Sequence, residues 1–262
     1  MQAEITMEPI TAGTFCWTEL AVRDMQKASD FYCALFGWTT DTCEHGAMPY
    51  TMFRMGEHSI CGMIQMDEDW PEDTPSHWGC YISTDDVDAT AEKAKELGGT
   101  ICCEPQEAGD EGRFAVLMDP TGAKVSIFTG GDGKNPQGVG SFCWNELLTT
   151  DMDKAGAFYT NLFGWTANAS DTSPEPYIVF MNGENWVGGL MEMHWEGHPS
   201  WLSYVSVADV DASCAKAKDL GANVCVEPSD IPGIGRFSVF TDPAGATIAI
   251  FMSASECSSC CE

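Results

Sequence analysis

The sequence predicts an α+β fold built from tandem βαβββ modules, four in all, grouped into two homologous domains. Three observations carry that expectation. The chain of 262 residues repeats itself once along its length. Segments with apolar residues at spacings of three and four begin at an Asp and stop at a Gly. Each of these segments is followed by three short apolar runs separated by turn residues.

The repeat is explicit. Phe15-Cys16-Trp17-Thr18-Glu19-Leu20 recurs as Phe142-Cys143-Trp144-Asn145-Glu146-Leu147, so position 15 returns at 142, 127 places on. Asp24-Met25, Phe31-Tyr32 and Leu35-Phe36-Gly37-Trp38 keep that offset, as Asp151-Met152, Phe158-Tyr159 and Leu162-Phe163-Gly164-Trp165. Further on, Asp86-Val87-Asp88-Ala89 matches Asp209-Val210-Asp211-Ala212, position 86 returning at 209, now 123 places on. Gly112-Arg113-Phe114 and Asp119-Pro120-Thr121-Gly122-Ala123 follow the shorter offset, to Gly235-Arg236-Phe237 and Asp242-Pro243-Ala244-Gly245-Ala246. The change places a short deletion in the second copy, opposite residues 70–76. The expected domains are 13–130 and 140–253, joined by a glycine-rich linker at 131–139 and followed by a Cys-rich tail at 254–262.

Within the first domain, residues 15–22 read as a strand and Asp24 as the cap of a helix. That helix buries Ala28, Phe31, Tyr32, Leu35 and Phe36, and Gly37 stops it. Three strand-like runs follow at 38–42, 50–55 and 60–66. A second module repeats the order: a strand at 78–84, a cap at Asp86, and a helix through Val87, Ala91, Ala94 and Leu97 to Gly98. Its runs lie at 100–103, 114–119 and 124–128. The second domain repeats both modules.

Composition narrows the function classes. Asp plus Glu is 40 against 12 Lys plus Arg, a net charge of −28. A surface that acidic repels nucleic-acid phosphates and anionic membranes, so neither is an expected partner. No stretch reaches the roughly 18 unbroken apolar residues of a membrane span. Residues 1–9 lack the basic and apolar parts of a signal peptide, so the expected location is the cytoplasm. The 13 cysteines are odd in number and read as thiols in a reducing compartment. Cys16, Cys80 and Cys225 lie in apolar runs, whereas Cys257, Cys260 and Cys261 form a polar tail with a soft-metal or redox role as one reading and a disordered end as the other. The chain shows no nucleophile elbow, P-loop, dinucleotide fingerprint or His-Glu-x-x-His motif.

Two stretches tie the chain to a known family. They are the Asp24 to Trp38 segment, with Phe31-Tyr32 and Phe36-Gly37-Trp38, and the Asp119-Pro120-Thr121-Gly122-Ala123 turn, each with its copy. Through them the sequence resembles the vicinal oxygen chelate superfamily of glyoxalases, bleomycin resistance proteins and extradiol dioxygenases. It is similar above all to the two-domain glyoxalase-like subgroup. The resemblance implies sheets curled into open cups that hold a ligand and, in the enzymes, a divalent metal. The metal-donor places it implies are occupied by Trp17, Gly79 and Ser126 in one domain and by Trp144, Leu202 and Ala249 in the other. These side chains are not the donors a divalent cation takes, so no metal and no other cofactor is expected. His77 lies on the strand face of Gly79 and is the one nearby donor, with Ser200 as its counterpart. His45, His58, His194 and His198 have no second ligand at a useful spacing.

Strand alternation puts Phe15, Trp17, Glu19 and Ala21 on one face. In the family that face lines the cup, which would leave Glu19 and Glu146 as carboxylates on an apolar wall beside Trp17 and Trp144. Desolvation there raises a carboxyl pKa toward the range of a general base. The alternative is a structural acid, either ion-paired, with Arg113 or Arg236 as the obvious partners, or hydrogen-bonded in the core. A structural role is favoured for both arginines, with anchoring of an anionic ligand as the other reading. Tyr81, Tyr204, Phe128 and Phe251 are aimed into the same cups. Such a lining suits a flat or amphipathic small molecule, cations included. Trp38 and Trp165 read as core or domain-interface residues.

The expected function is that of a small-molecule-handling, metal-independent enzyme with Glu19 or Glu146 as acid/base. A sequestering protein of the bleomycin-resistance type is the first alternative, and a metal-dependent lyase or dioxygenase with atypical ligands the second. Four modules complete two cups in one chain, so a monomer is feasible, with a homodimer as the other state.

Overall fold

The computed structural model describes residues 5–43, 50–131, 133–171 and 175–254. After β1 (Thr6–Pro9), the first module comprises β2 (Phe15–Val22), α1 (Met25–Phe36), β3 (Thr39–Cys43), β4 (Tyr50–Met55) and β5 (His58–Gln65). The second is β6 (His77–Ser83), α2 (Val87–Glu96), β7 (Thr100–Glu107), β8 (Gly112–Met118) and β9 (Lys124–Gly130). β10 (Lys134–Gln137) leads to the third module: β11 (Phe142–Thr149), α3 (Met152–Phe163), β12 (Thr166–Ala169), β13 (Tyr177–Asn182) and β14 (Asn185–Glu192). The fourth is β15 (Ser200–Ser206), α4 (Val210–Asp219), β16 (Asn223–Ile231), β17 (Gly235–Thr241) and β18 (Thr247–Ser253). None of the described helices is long and apolar enough to cross a membrane.

Local chemistry sets the helix ends. The carboxylates of Asp24, Asp86, Asp151 and Asp209 accept the backbone N–H three residues on, at 2.9–3.0 Å, satisfying donors the first turn leaves open. α1 and α3 end at Gly37 and Gly164, both at φ 75, where a side chain would be strained. Asp86→Ala or Asp209→Ala is expected to cost about 1 kcal/mol each, read as a lowered urea midpoint with unchanged slope.

Two eight-stranded mixed sheets result, ordered β3-β4-β5-β2-β6-β9-β8-β7 and β12-β13-β14-β11-β15-β18-β17-β16. The two modules of each half join where their first strands run antiparallel, Trp17 opposite Tyr81 and Glu19 opposite Gly79. The second half copies this, with Trp144 opposite Tyr204 and Glu146 opposite Leu202. One sheet face carries apolar side chains for the helices: Leu20, Val22, Trp78, Cys80 and Ile82 are buried there. The other face is the concave one.

The helices tie the halves together. Ala28, Phe31, Tyr32 and Leu35 of α1 share a core with Val205, Val210, Cys214, Phe240 and Ile248 of the second half. Phe158, Tyr159 and Leu162 of α3 likewise pack with Ile82, Ala91, Leu117 and Ile127 of the first. Polar contacts seal the seam: the Tyr32 hydroxyl donates to Asp242 Oδ2 at 2.6 Å and accepts from Trp78 Nε1 at 2.8 Å. Trp38 and Trp165, as expected interface residues, donate to the carbonyls of Gly140 and Gly13 at 2.9 and 2.8 Å.

Three expectations need correction. The glycine-rich linker contains a strand, β10, which pairs antiparallel with β1 into a two-stranded sheet. Phe15 leaves the concave face, because the β2–β6 register shifts between Phe15 and Trp17; its ring packs on Trp165 and Trp201 across the seam. Cys225 is exposed on β16, whereas Cys16 and Cys80 are buried thiols as expected.

Candidate functional site

Alternation along β2, β6 and β9 brings Trp17, Glu19, Tyr81, Ser126 and Phe128 to the concave face of the first sheet. Tyr81 donates to Glu19 Oε1 at 3.0 Å. Tyr50, from β4, also hydrogen-bonds this carboxylate, and its oxygen accepts the Trp17 indole N–H at 3.0 Å. Ser126 hydrogen-bonds Tyr81. The second cup repeats the network: Tyr204 donates to Glu146 Oε1 at 2.9 Å, Tyr177 hydrogen-bonds the same carboxylate, and Trp144 Nε1 donates to Tyr177 at 3.0 Å. Phe251 joins Trp144 and Tyr204 around it.

Tyr50 and Tyr177 escaped the sequence reading. The signal was present, since Pro49-Tyr50 returns as Pro176-Tyr177 at the first offset. A second signal is the glycine each phenol needs. A Cβ on Gly62 or Gly189 would lie 1.9 Å from the Tyr50 or Tyr177 hydroxyl, so only glycine leaves room for it.

Burial raises the pKa of both Glu19 and Glu146 above the usual carboxyl range, and the tyrosine hydrogen bonds offset part of that rise. The phenols respond in kind, held protonated by burial and by the neighbouring carboxylate. Each site is therefore a carboxyl whose proton is retained to higher pH than in water, framed by two donors that favour its ionised form. Gly62→Ala is expected to swing Tyr50 off Glu19 and raise that carboxyl further. A 13C NMR titration of the Glu19 carboxyl checks it, and an unmoved midpoint would sink the role given to Gly62.

Arg113 and Arg236 do not reach these carboxylates. Arg113 shares its strand parity with Ala115 and Leu117, which face the helices, so its guanidinium emerges there. It forms a bidentate pair with Asp88 at 2.7 and 2.9 Å and bonds Glu107 at 2.9 Å. Arg236 repeats this with Asp211 and Asp230. The pairing weighed as an alternative for Glu19 and Glu146 is not formed; both arginines make surface ion pairs at the start of α2 and α4.

The family's metal places hold Trp17, Gly79, Ser126 and Trp144, Leu202, Ala249. Both indoles commit their single N–H to a tyrosine. No three His, Cys, Asp or Glu side chains converge to hold a metal ion among the described residues. The donor set does not fit a divalent metal of the family's kind. His77 instead has Nδ1 2.9 Å from the Pro75 carbonyl and its ring against Trp70. His45 and the tail cysteines 257, 260 and 261 lie outside the described residues. Two clefts of about 220 and 270 Å3 open elsewhere, one beside Lys27 and Pro243 and one beside Ala12 and Phe163. Neither holds the Trp–Tyr–Glu–Tyr arrangement of the cups.

Comparison with known proteins agrees with this architecture. The family model for the Glyoxalase/Bleomycin resistance protein/Dioxygenase superfamily matches residues 14–127 and 142–250. The CFP32 protein of Mycobacterium tuberculosis, which carries a provisional glyoxylase name, is 37% identical over 245 residues, covering 91% of this chain and 94% of its own. The anthracycline biosynthesis protein DauV of a Streptomyces species is 31% identical over 261 residues, covering 93% and 94%. Among solved structures, the Mn(II)-bound glyoxalase of Novosphingobium aromaticivorans superposes with a TM-score of 0.64 at 16% identity, covering 92% of this chain and 82% of that one. The 2,2',3-trihydroxybiphenyl 1,2-dioxygenase of Sphingomonas wittichii gives 0.66 at 12%, covering 93% and 91%. At these identities the structural likeness speaks to fold alone.

Proposed function

The chain belongs to the glyoxalase, bleomycin resistance protein and dioxygenase superfamily, and on that premise we propose that its cups handle a flat or amphipathic small molecule by proton transfer without a metal. The observation that carries this reading is the Trp–Tyr–Glu–Tyr hydrogen-bond network, built twice from the same residue types at corresponding places. A carboxyl with a raised pKa, when ionised, is a stronger base than one in water; when protonated, it keeps its proton to higher pH than a free carboxyl does. Glu19 or Glu146 takes a proton from the bound molecule and returns it, while the two phenols hold the carboxyl in one orientation. Trp17 and Phe128, or in the second cup Trp144 and Phe251, are the rings whose faces a ligand would meet. A flat substrate is consistent with DauV, whose name places it in anthracycline biosynthesis.

A sequestering role is the second reading. What favours it is that both phenols direct their protons at the carboxylate, leaving the ligand a single acid/base group. Glu19→Gln and Glu146→Gln separate the two readings. An enzyme's variant still binds but loses turnover, whereas a binding protein has no turnover to lose. Metal independence is checked by elemental analysis of protein purified without chelator; a stoichiometric Mn, Fe, Ni or Zn signal would replace this reading with metal-dependent lyase or dioxygenase chemistry.

A further inference from the structure

The two cups share a network but not a shape. Opposite Glu146 stands Leu202, and opposite Glu19 stands Gly79. Leu202 is 7% exposed and packs with Tyr204, Val239 and Ala249, all buried, against Trp144 and Phe251. The space in front of Glu146 is thus taken by the protein's own side chains. In the first cup the corresponding Gly79, Tyr81 and Val116 are each only half-buried, as is Glu19. A Cβ built on Gly79 meets only the Glu19 carbonyl, at 3.9 Å, an ordinary contact, so the position is not crowded. Ser126 adds a hydroxyl beside Tyr81 where the second cup has the methyl of Ala249.

We propose that the cups have separate jobs: the first takes the ligand, one per chain, with Gly79 setting the room in front of Glu19, and the second is a filled copy whose Leu202 stands where a ligand would. The inference rests on reading the cups as ligand sites. Its ligand class follows from what the open cup displays: a carboxyl and the faces of Trp17 and Phe128, with the buried Ser126 hydroxyl behind them beside Tyr81. A flat aromatic cation with N–H donors satisfies all of them. In the second cup the same ligand would have to displace a packed leucine, and Glu146 is left as a buried, hydrogen-bonded acid.

The test titrates proflavine, a flat aromatic cation, into the full chain in about 0.5 M NaCl, where the Debye length is about 4 Å and adsorption to the acidic surface is screened. The expected stoichiometry is one per chain. Gly79→Leu, which gives the first cup the residue of the second, is expected to weaken binding about 10- to 100-fold. Glu19→Gln weakens it as well. Leu202→Ala opens the second cup and brings the stoichiometry to two. Should Gly79→Leu lose its near-UV circular dichroism, the site gained with Leu202→Ala decides the matter. Two equivalent sites in the unaltered protein, or binding that survives Gly79→Leu and vanishes with Glu146→Gln, overturns this inference and leaves the proposed ligand class intact. No saturable binding by any variant overturns both.

Discussion

Asp242→Ala is expected to cost roughly 3–5 kcal/mol and to unfold both halves in a single transition. Asp242 is 4% exposed, and its two oxygens serve different elements. Oδ1 accepts the backbone N–H groups of Ala244 and Ala246 at 2.7 and 3.0 Å, which shapes the turn before β18. Oδ2 accepts the hydroxyl of Tyr32, a fully buried residue of the other half. Removing the carboxylate strands the turn's donors and the phenol in a dry core, where an unmet donor costs more than the bond itself contributed. The loss is a large share of a total stability of about 5–15 kcal/mol. Because α1 completes the core of the second half and α3 that of the first, neither half keeps its packing when the seam opens. Urea unfolding followed by near-UV and far-UV circular dichroism should give coincident curves, shifted together. In a double-mutant cycle with Tyr32→Phe, the double variant should be less destabilised than the two singles predict, by about 1–3 kcal/mol. Separated transitions, or a coupling near zero, would remove the seam from the account.

The same residues show what a sequence discloses and what it hides. The four helix caps and the two glycine stops were legible because capping is local: an Asp and the N–H three residues on need no knowledge of the rest of the chain. Trp17, Glu19 and Tyr81 were legible because a strand has a period of two and the repeat printed the pattern twice. Phe15 was not, because a register shift between strands far apart in sequence breaks that period without leaving a mark in either strand. Arg113 was misplaced by reasoning from charge balance, which sought the nearest buried acid. Its parity with Ala115 and Leu117 already pointed it toward the helices. Tyr50 was missed because its partnership with Glu19 runs across β5, through a gap that exists only where Gly62 has no side chain. The filling of the second cup by Leu202 is a packing fact that no spacing records.

Replacing Glu19 or Glu146 by Gln should make the protein more tolerant of alkaline pH, and the replacement in the working cup should also remove any activity the protein has. Both carboxyls have a folded-state pKa above the ordinary value of about 4.3, with burial as the main cause. Below that ordinary value both the folded and unfolded chains hold the proton, and the raised pKa costs nothing. Between the ordinary and the raised value the folded chain binds more protons than the unfolded one, so stability falls as pH rises, by up to about 1.4 kcal/mol per pH unit for each carboxyl. Above the raised value both states are ionised and the loss levels off. This sign is opposite to that of a salt-bridged surface acid, which loses stability on acidification. The Gln side chain has no proton to lose, so the gap between variant and parent should be flat in acid, widen through this window and then become constant. Subtracting the two curves cancels the background of the other acidic residues. Turnover should fall about 100- to 10,000-fold in the variant of the working cup, the range expected when a positioned acid/base group is removed. A carboxyl that serves only as a hydrogen-bonded strut would show the same pH-dependent gain in stability without that fall. A flat difference curve would mean instead that the buried carboxyl titrates as it does in water, and the argument for proton transfer at this site would lose its basis.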